Sequence, residues 1–69
     1  MKEFNLNGEE YIELNKLLKI MRLVGSGGEA NMVITDEEVT VNDEIETQKR
    51  KKLRIGDVVK FDGKSIKIS

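Results

Sequence analysis

The chain has 69 residues, 38% of them hydrophobic and 36% charged, and 12 Lys and Arg against 13 Asp and Glu leave a net charge of -1. A domain this short buries only ~60% of the surface its unfolded chain exposes, so a single domain over residues 1–69 with one small core is expected, without a large substrate cleft. The absence of Cys and His excludes disulfides, Cys/His zinc sites, thiol nucleophiles and every His-based catalytic device; no cofactor is implied.

Glu3 and the polar stretch Asn5 to Glu10 stand where a signal peptide would carry apolar residues. Phe4 and Leu6 flank one polar residue and precede Asn7-Gly8, which predicts a short strand ending in a turn. From about Glu10 to Leu23, the residues Leu14, Leu17, Leu18 and Met21 fall on one helical face, which Tyr11 extends one turn back. Lys16, Lys19 and Arg22 then share a stripe beside that face, and Gly25 is expected to end the helix with a positive φ. The longest apolar stretch, Ile20 to Val24, is broken by Arg22 and falls far short of the ~20 apolar residues of a membrane span. A cytoplasmic, monomeric protein with no membrane contact is the expectation.

Ser26-Gly27-Gly28-Glu29 fits the S-x-x-E capping box and predicts a second helix to about Thr35, with Ala30, Val33 and Ile34 inward. After the acidic connection Asp36 to Glu38, Val39 and Val41 alternate with Thr40 and Asn42 as a half-buried strand. Asn42-Asp43 is a turn and Ile45 lies in a short returning strand. Leu53 and Ile55 alternate with Lys52 and Arg54, Gly56-Asp57 turns the chain, and Val58 to Phe61 forms a strand. Asp62-Gly63 is a two-residue hairpin signal, followed by a last strand that presents Ile66 and Ile68 on one face. The order of elements is α+β: two packed helices against a small, mainly antiparallel sheet.

Near-neutrality hides segregated charge. Residues 16–28 carry three bases and no acid, residues 29–46 seven acids and no base, and residues 47–56 five bases and no acid. Basic blocks of this kind point to a polyanion, and the run Lys49-Arg50-Lys51-Lys52 gains most when phosphates neutralise it. Gly25-Ser26-Gly27-Gly28-Glu29-Ala30 satisfies G-x-G-x-x-A, but the dinucleotide fingerprint needs a preceding strand and a βαβ unit, and here a helix precedes it. What survives is a glycine-rich helix start with free amides, which suits one phosphate. The acidic stretch from Asp36 lacks the glycine an EF-hand loop requires at its sixth position, where Val41 stands. With three aromatics, Phe4, Tyr11 and Phe61, at least two of them on apolar faces, stacking on single-stranded bases is disfavoured. Reading of backbone and shape in structured RNA is favoured instead.

The succession Leu14-x-x-Leu17-Leu18-Lys19, Ser26-Gly27-Gly28-Glu29-Ala30, Val39-Thr40-Val41-Asn42 and Lys52-Leu53-Arg54-x-Gly56-Asp57-x-Val59 resembles the S4-like RNA-binding domain, and its small stand-alone bacterial members in particular. The resemblance implies the alpha-L RNA-binding motif and non-enzymatic binding of structured RNA, ribosomal, tRNA-like or otherwise related to translation, with the ribosome or a ribosomal precursor as partner. Many members carry Arg just after the Ser that opens the second helix. Gly27 stands there in this chain, which leaves backbone amides, with Lys19 and Arg22, to hold phosphate. Lys19 and Arg22 are expected to converge with Ser26, Gly27 and Gly28 on one phosphate, with Lys16 one turn further back. Lys49, Arg50, Lys51, Lys52 and Arg54 join that patch on the family architecture. Two alternatives are a docking adaptor that uses the acidic arc from Glu29 to Glu46, and a relative of ubiquitin-like carriers that lacks their C-terminal Gly-Gly.

Overall fold

Seven short strands and two helices follow one another in a computed structural model describing residues 1–69. They are β1 (Lys2–Phe4), β2 (Ile12–Glu13), α1 (Leu14–Ile20), α2 (Gly27–Thr35), β3 (Val39–Val41), β4 (Glu44–Ile45), β5 (Lys52–Leu53), β6 (Val58–Phe61) and β7 (Lys64–Ile68). Five strands form a sheet in the order β1-β7-β6-β3-β4, antiparallel except where β1 runs parallel to β7. β2 and β5 make a separate antiparallel ribbon, Ile12 opposite Leu53 and Glu13 opposite Lys52. The expected α+β arrangement of two packed helices and a mainly antiparallel sheet is present.

The hairpin turns follow from local chemistry. Asn42-Asp43 and Asp62-Gly63 have positive φ at both central residues, 53° and 68° in the first and 52° and 74° in the second. Such turns match the twist of the strands they join. Fifteen buried residues, all apolar, form one core. Leu14, Leu17 and Leu18 of α1 and Ala30, Val33 and Ile34 of α2 share it with Val39, Val41, Leu53, Val59, Ile66 and Ile68 of the strands. No helix is long and apolar enough to cross a membrane.

Several expectations need correction. The first helix starts at Leu14, not near Glu10, because Ile12 and Glu13 are extended against Leu53 and Lys52. Tyr11 therefore leaves the helical face and is exposed, and Met21 is only partly buried at the edge of the core. Leu6 is buried but lies beyond β1. Ile55 does not continue the alternation of Leu53; it follows β5 and is 75% exposed.

Gly25 does not supply the positive φ that ends α1; Arg22 does, at 57°. The Leu23 amide donates to the Leu18 carbonyl and the Arg22 amide to that of Lys19, which is the Schellman closure. α2 ends alike, with Glu38 donating to Val33 and Glu37 to Ile34 while Glu37 takes φ 62°. A left-handed conformation costs an L-residue roughly 1–2 kcal/mol, and a carboxylate at a helix C-terminus meets the negative end of the dipole. Glu37→Gly is therefore expected to raise stability by about 0.5–1 kcal/mol, read as a higher urea midpoint with an unchanged slope. A lower midpoint would contradict this account of the cap.

Candidate nucleic-acid interface

α1 begins without a side-chain cap from Glu13. Its first two amides are instead taken by the backbone of the basic segment: Leu14 N–H donates to the Lys51 carbonyl at 2.9 Å and Asn15 N–H to that of Lys49 at 3.0 Å. The Asn15 side chain accepts from the Lys16 amide at 2.8 Å and donates through Nδ2 to Asn31 Oδ1 of α2 at 3.2 Å. The loop that carries Lys49 to Lys52 is thus the cap of α1, satisfying donors a helix start leaves unpaired. With Leu53 fully buried opposite Ile12, the basic run is fixed beside the helices at two places.

At the start of α2, Ser26 Oγ accepts from the Glu29 amide at 3.1 Å, as the capping box requires. The return bond differs from expectation: Glu29 Oε1 accepts from the Gly25 amide at 2.6 Å, one residue before the cap. Around Gly27, a Cβ would meet nothing within 4 Å, so the helix start is open.

These elements enclose a shallow, open cavity of about 210 Å³ lined by Glu13, Asn15, Lys16, Lys19, Gly27 and Arg50, none of them hydrophobic. Three cations face one carboxylate there. Its size suits a phosphate with its water rather than an engulfed substrate, since small-molecule pockets run to ~300–1,000 Å³. Of the residues singled out from sequence, Lys16, Lys19, Gly27 and Arg50 come together in this cavity, whereas Arg22, Ser26, Gly28, Lys49, Lys51, Lys52 and Arg54 are not in its wall. Arg22 departs from the Lys16–Lys19 stripe because its positive φ places it past the helix end. Lys52 and Arg54 lie instead over the Tyr11 ring, with Nζ 5.0 Å and Cζ 5.6 Å from its centroid.

The two ion pairs are Lys60–Asp43 at 2.8 Å and Lys64–Asp62 at 3.7 Å, so none of the candidate cations is neutralised by a carboxylate. The acids are dispersed. Glu29 stands in the first turn of α2 and Asp36 to Glu38 follow its C-terminal end, with Asp36 ~10 Å from Glu29 at 1.5 Å per residue. None of Asp36, Glu37 and Glu38 lines the cavity. Sequence reasoning missed Glu13, Asn15 and Tyr11. The available signal was Tyr11-Ile12-Glu13 against Lys52-Leu53-Arg54, each a single apolar residue between two polar or amphipathic neighbours, as in paired short strands.

The V-x-V-N strand and the later Gly-Asp turn meet in space. Asn42 Nδ2 donates to Asp57 Oδ1 at 3.0 Å, Asn42 Oδ1 accepts from the Val58 amide at 2.9 Å, and Asp57 Oδ2 accepts from the Arg54 amide at 2.9 Å. Gly56 adopts φ 97° between them, a conformation open to glycine. This clamp fixes the chain direction immediately after the basic segment.

Two paired helices on a mainly antiparallel sheet make this a small domain of the alpha-L type. The chain belongs to the S4 domain family, whose sequence profile matches residues 4–69. It is 41% identical over 54 residues to RlbA of Bacillus subtilis (strain 168), named a probable ribosome maturation protein, with 78% of this chain and 76% of that one covered. It is 35% identical over 68 residues to YbcJ of Escherichia coli (strain K12), with 99% and 97% covered. The solution structure of Escherichia coli YbcJ, described as revealing an alfaL motif involved in RNA-binding, superposes with a TM-score of 0.75 over 99% of this chain and 86% of that one. The 30S ribosomal protein S4e of Thermoplasma acidophilum shares the fold, with a TM-score of 0.68 and 19% identity over 83% of this chain and 30% of that one.

Proposed function

We propose that this chain is a non-enzymatic module that binds structured RNA, ribosomal or otherwise related to translation, through the cavity beside α1 and α2. The observation that carries the reading is the gathering of unpaired Lys16, Lys19 and Arg50 around the open start of α2. The name of RlbA and the description of the YbcJ structure support the same reading. Arg22, Ser26, Gly28, Lys49, Lys51, Lys52 and Arg54 extend the surface around that centre. The ribosome or a ribosomal precursor is the proposed partner, and the protein acts as a single-domain monomer in the cytoplasm.

Binding to a folded RNA and to duplex DNA, measured at several salt concentrations, tests this. Affinity for folded RNA is expected to exceed that for the DNA and to fall as salt rises, because neutralised phosphates release counterions. Lys19→Ala and Arg50→Ala are each expected to weaken binding about equally across RNA sequences and to reduce the salt slope by ~1, the behaviour of phosphate contacts. Lys67→Ala, in the last strand, serves as the charge-matched control and is expected to have a much smaller effect. Equal losses at Lys19 and Lys67 would mean diffuse attraction with no defined site. Partners that survive ribonuclease treatment in a pull-down would favour protein docking through the acidic residues.

A further inference from the structure

The β2–β5 ribbon has one face in the core and one in solvent. Ile12 and Leu53 pair across it and are buried, so strand alternation turns Tyr11 and Glu13, Lys52 and Arg54 to the other face. There the Tyr11 ring is 37% exposed, with Lys52 Nζ at 5.0 Å and Arg54 Cζ at 5.6 Å from its centroid. No carboxylate pairs with either cation. Arg54 is held in place from behind, since its amide donates to Asp57 Oδ2. Glu13 lies on this face and also lines the basic cavity, so the two features adjoin.

Lys52 and Arg54 lie over the Tyr11 ring without a carboxylate partner, and when these long side chains swing off it the site has the complementary parts of one nucleotide: a flat apolar surface for the base, and positive charge for its phosphate. A base inside a regular duplex has both faces covered by its neighbours, so away from the duplex ends the ring has use only for an unpaired one. We infer that Tyr11, Lys52 and Arg54 form a subsite for a single unpaired nucleotide of a folded RNA, the base stacked on Tyr11 and the phosphate held by Lys52 and Arg54. The inference rests on the proposed RNA binding and narrows its ligand to RNA in which a paired segment at the cavity adjoins a bulged or looped-out nucleotide at the ribbon.

Tyr11 is the single tyrosine of a chain without tryptophan, so tyrosine emission reports on this ring alone. The probes are a blunt RNA duplex and the same duplex with one bulged adenosine, titrated into the full chain at one salt concentration. The bulged duplex is expected to bind more tightly and to quench Tyr11 emission more strongly than the blunt one. Tyr11→Ala is expected to lower affinity for the bulged duplex about tenfold, leaving the blunt duplex within about twofold, whereas Tyr11→Phe keeps the preference because stacking needs the ring and not the hydroxyl. Circular dichroism confirms that the variants fold. Equal quenching by both duplexes, or equal loss of both on Tyr11→Ala, would overturn the subsite while leaving RNA binding intact. Failure of the unaltered protein to bind either duplex at low salt would overturn the RNA reading itself.

Discussion

Gly27→Asp is expected to lower affinity for folded RNA by tenfold or more while leaving the melting temperature unchanged or raised. The two effects have opposite signs for one reason, the start of α2. An acidic side chain in the first turn of a helix complements the dipole and contributes about 0.3–1 kcal/mol, and a Cβ added at Gly27 meets nothing within 4 Å. The same charge faces any phosphate in the cavity with Lys16, Lys19 and Arg50. At ~5 Å and an effective dielectric of ~20 the repulsion is about 3 kcal/mol before salt screening. Gly27→Ala, which adds the Cβ without the charge, should bind within about twofold of the unaltered protein. Binding measured by fluorescence anisotropy beside a thermal melt decides the matter; undiminished affinity in Gly27→Asp would remove the helix start from the RNA surface.

Leu53→Ala should be the most damaging conservative substitution for stability and binding together. Leu53 is fully enclosed in the core, and truncating such a residue costs about 2–5 kcal/mol. A chain of this length has roughly 3–10 kcal/mol to lose, so a fall of ~15 °C in melting temperature is expected. Binding should fall as well, even at temperatures where the variant is folded, because Leu53 anchors the ribbon that holds Lys52 beside Glu13 and leads back to the carbonyls capping α1. Val59→Ala, equally enclosed but in β6, should lose stability and keep its RNA affinity. If both variants, studied folded and cold, lost affinity to the same extent, the ribbon would have no special part in placing the cations.

The sequence made the second helix, both two-residue turns and the alternation of the last strand legible, because each has a local signature. Ser26 with Glu29, Asn42-Asp43 and Asp62-Gly63 each specify their geometry within four residues. The misread segments are those decided at a distance. Tyr11 fits the spacing of an apolar helical face, and only the pairing of Ile12 with Leu53, 41 positions later, draws the chain out into a strand before the helix begins. Two-residue strands carry no periodicity of their own. Gly25 looked like the end of α1 because glycine is the default for a positive φ, yet packing of Leu18 and Leu23 on the core sets the closure one turn earlier, at Arg22. For the site, the cations themselves were visible as charge blocks. The company they keep was not, since a helix capped by the carbonyls of Lys49 and Lys51 leaves no trace in side-chain identity.

The clamp of Asn42 on Asp57 and the backbone bonds from α1 to Lys49 and Lys51 hold the same stretch of chain at its neck and at its crest. A free loop of this charge would resist being gathered by a ligand, losing roughly 1–2 kcal/mol of backbone entropy for each residue ordered on contact. Here that ordering is completed during folding, so a polyanion reaching this face encounters charges already in position. Association then needs no conformational search, and its speed is governed by electrostatic steering. Added salt should slow capture more than it hastens release, and stopped-flow measurements at two ionic strengths would separate the two.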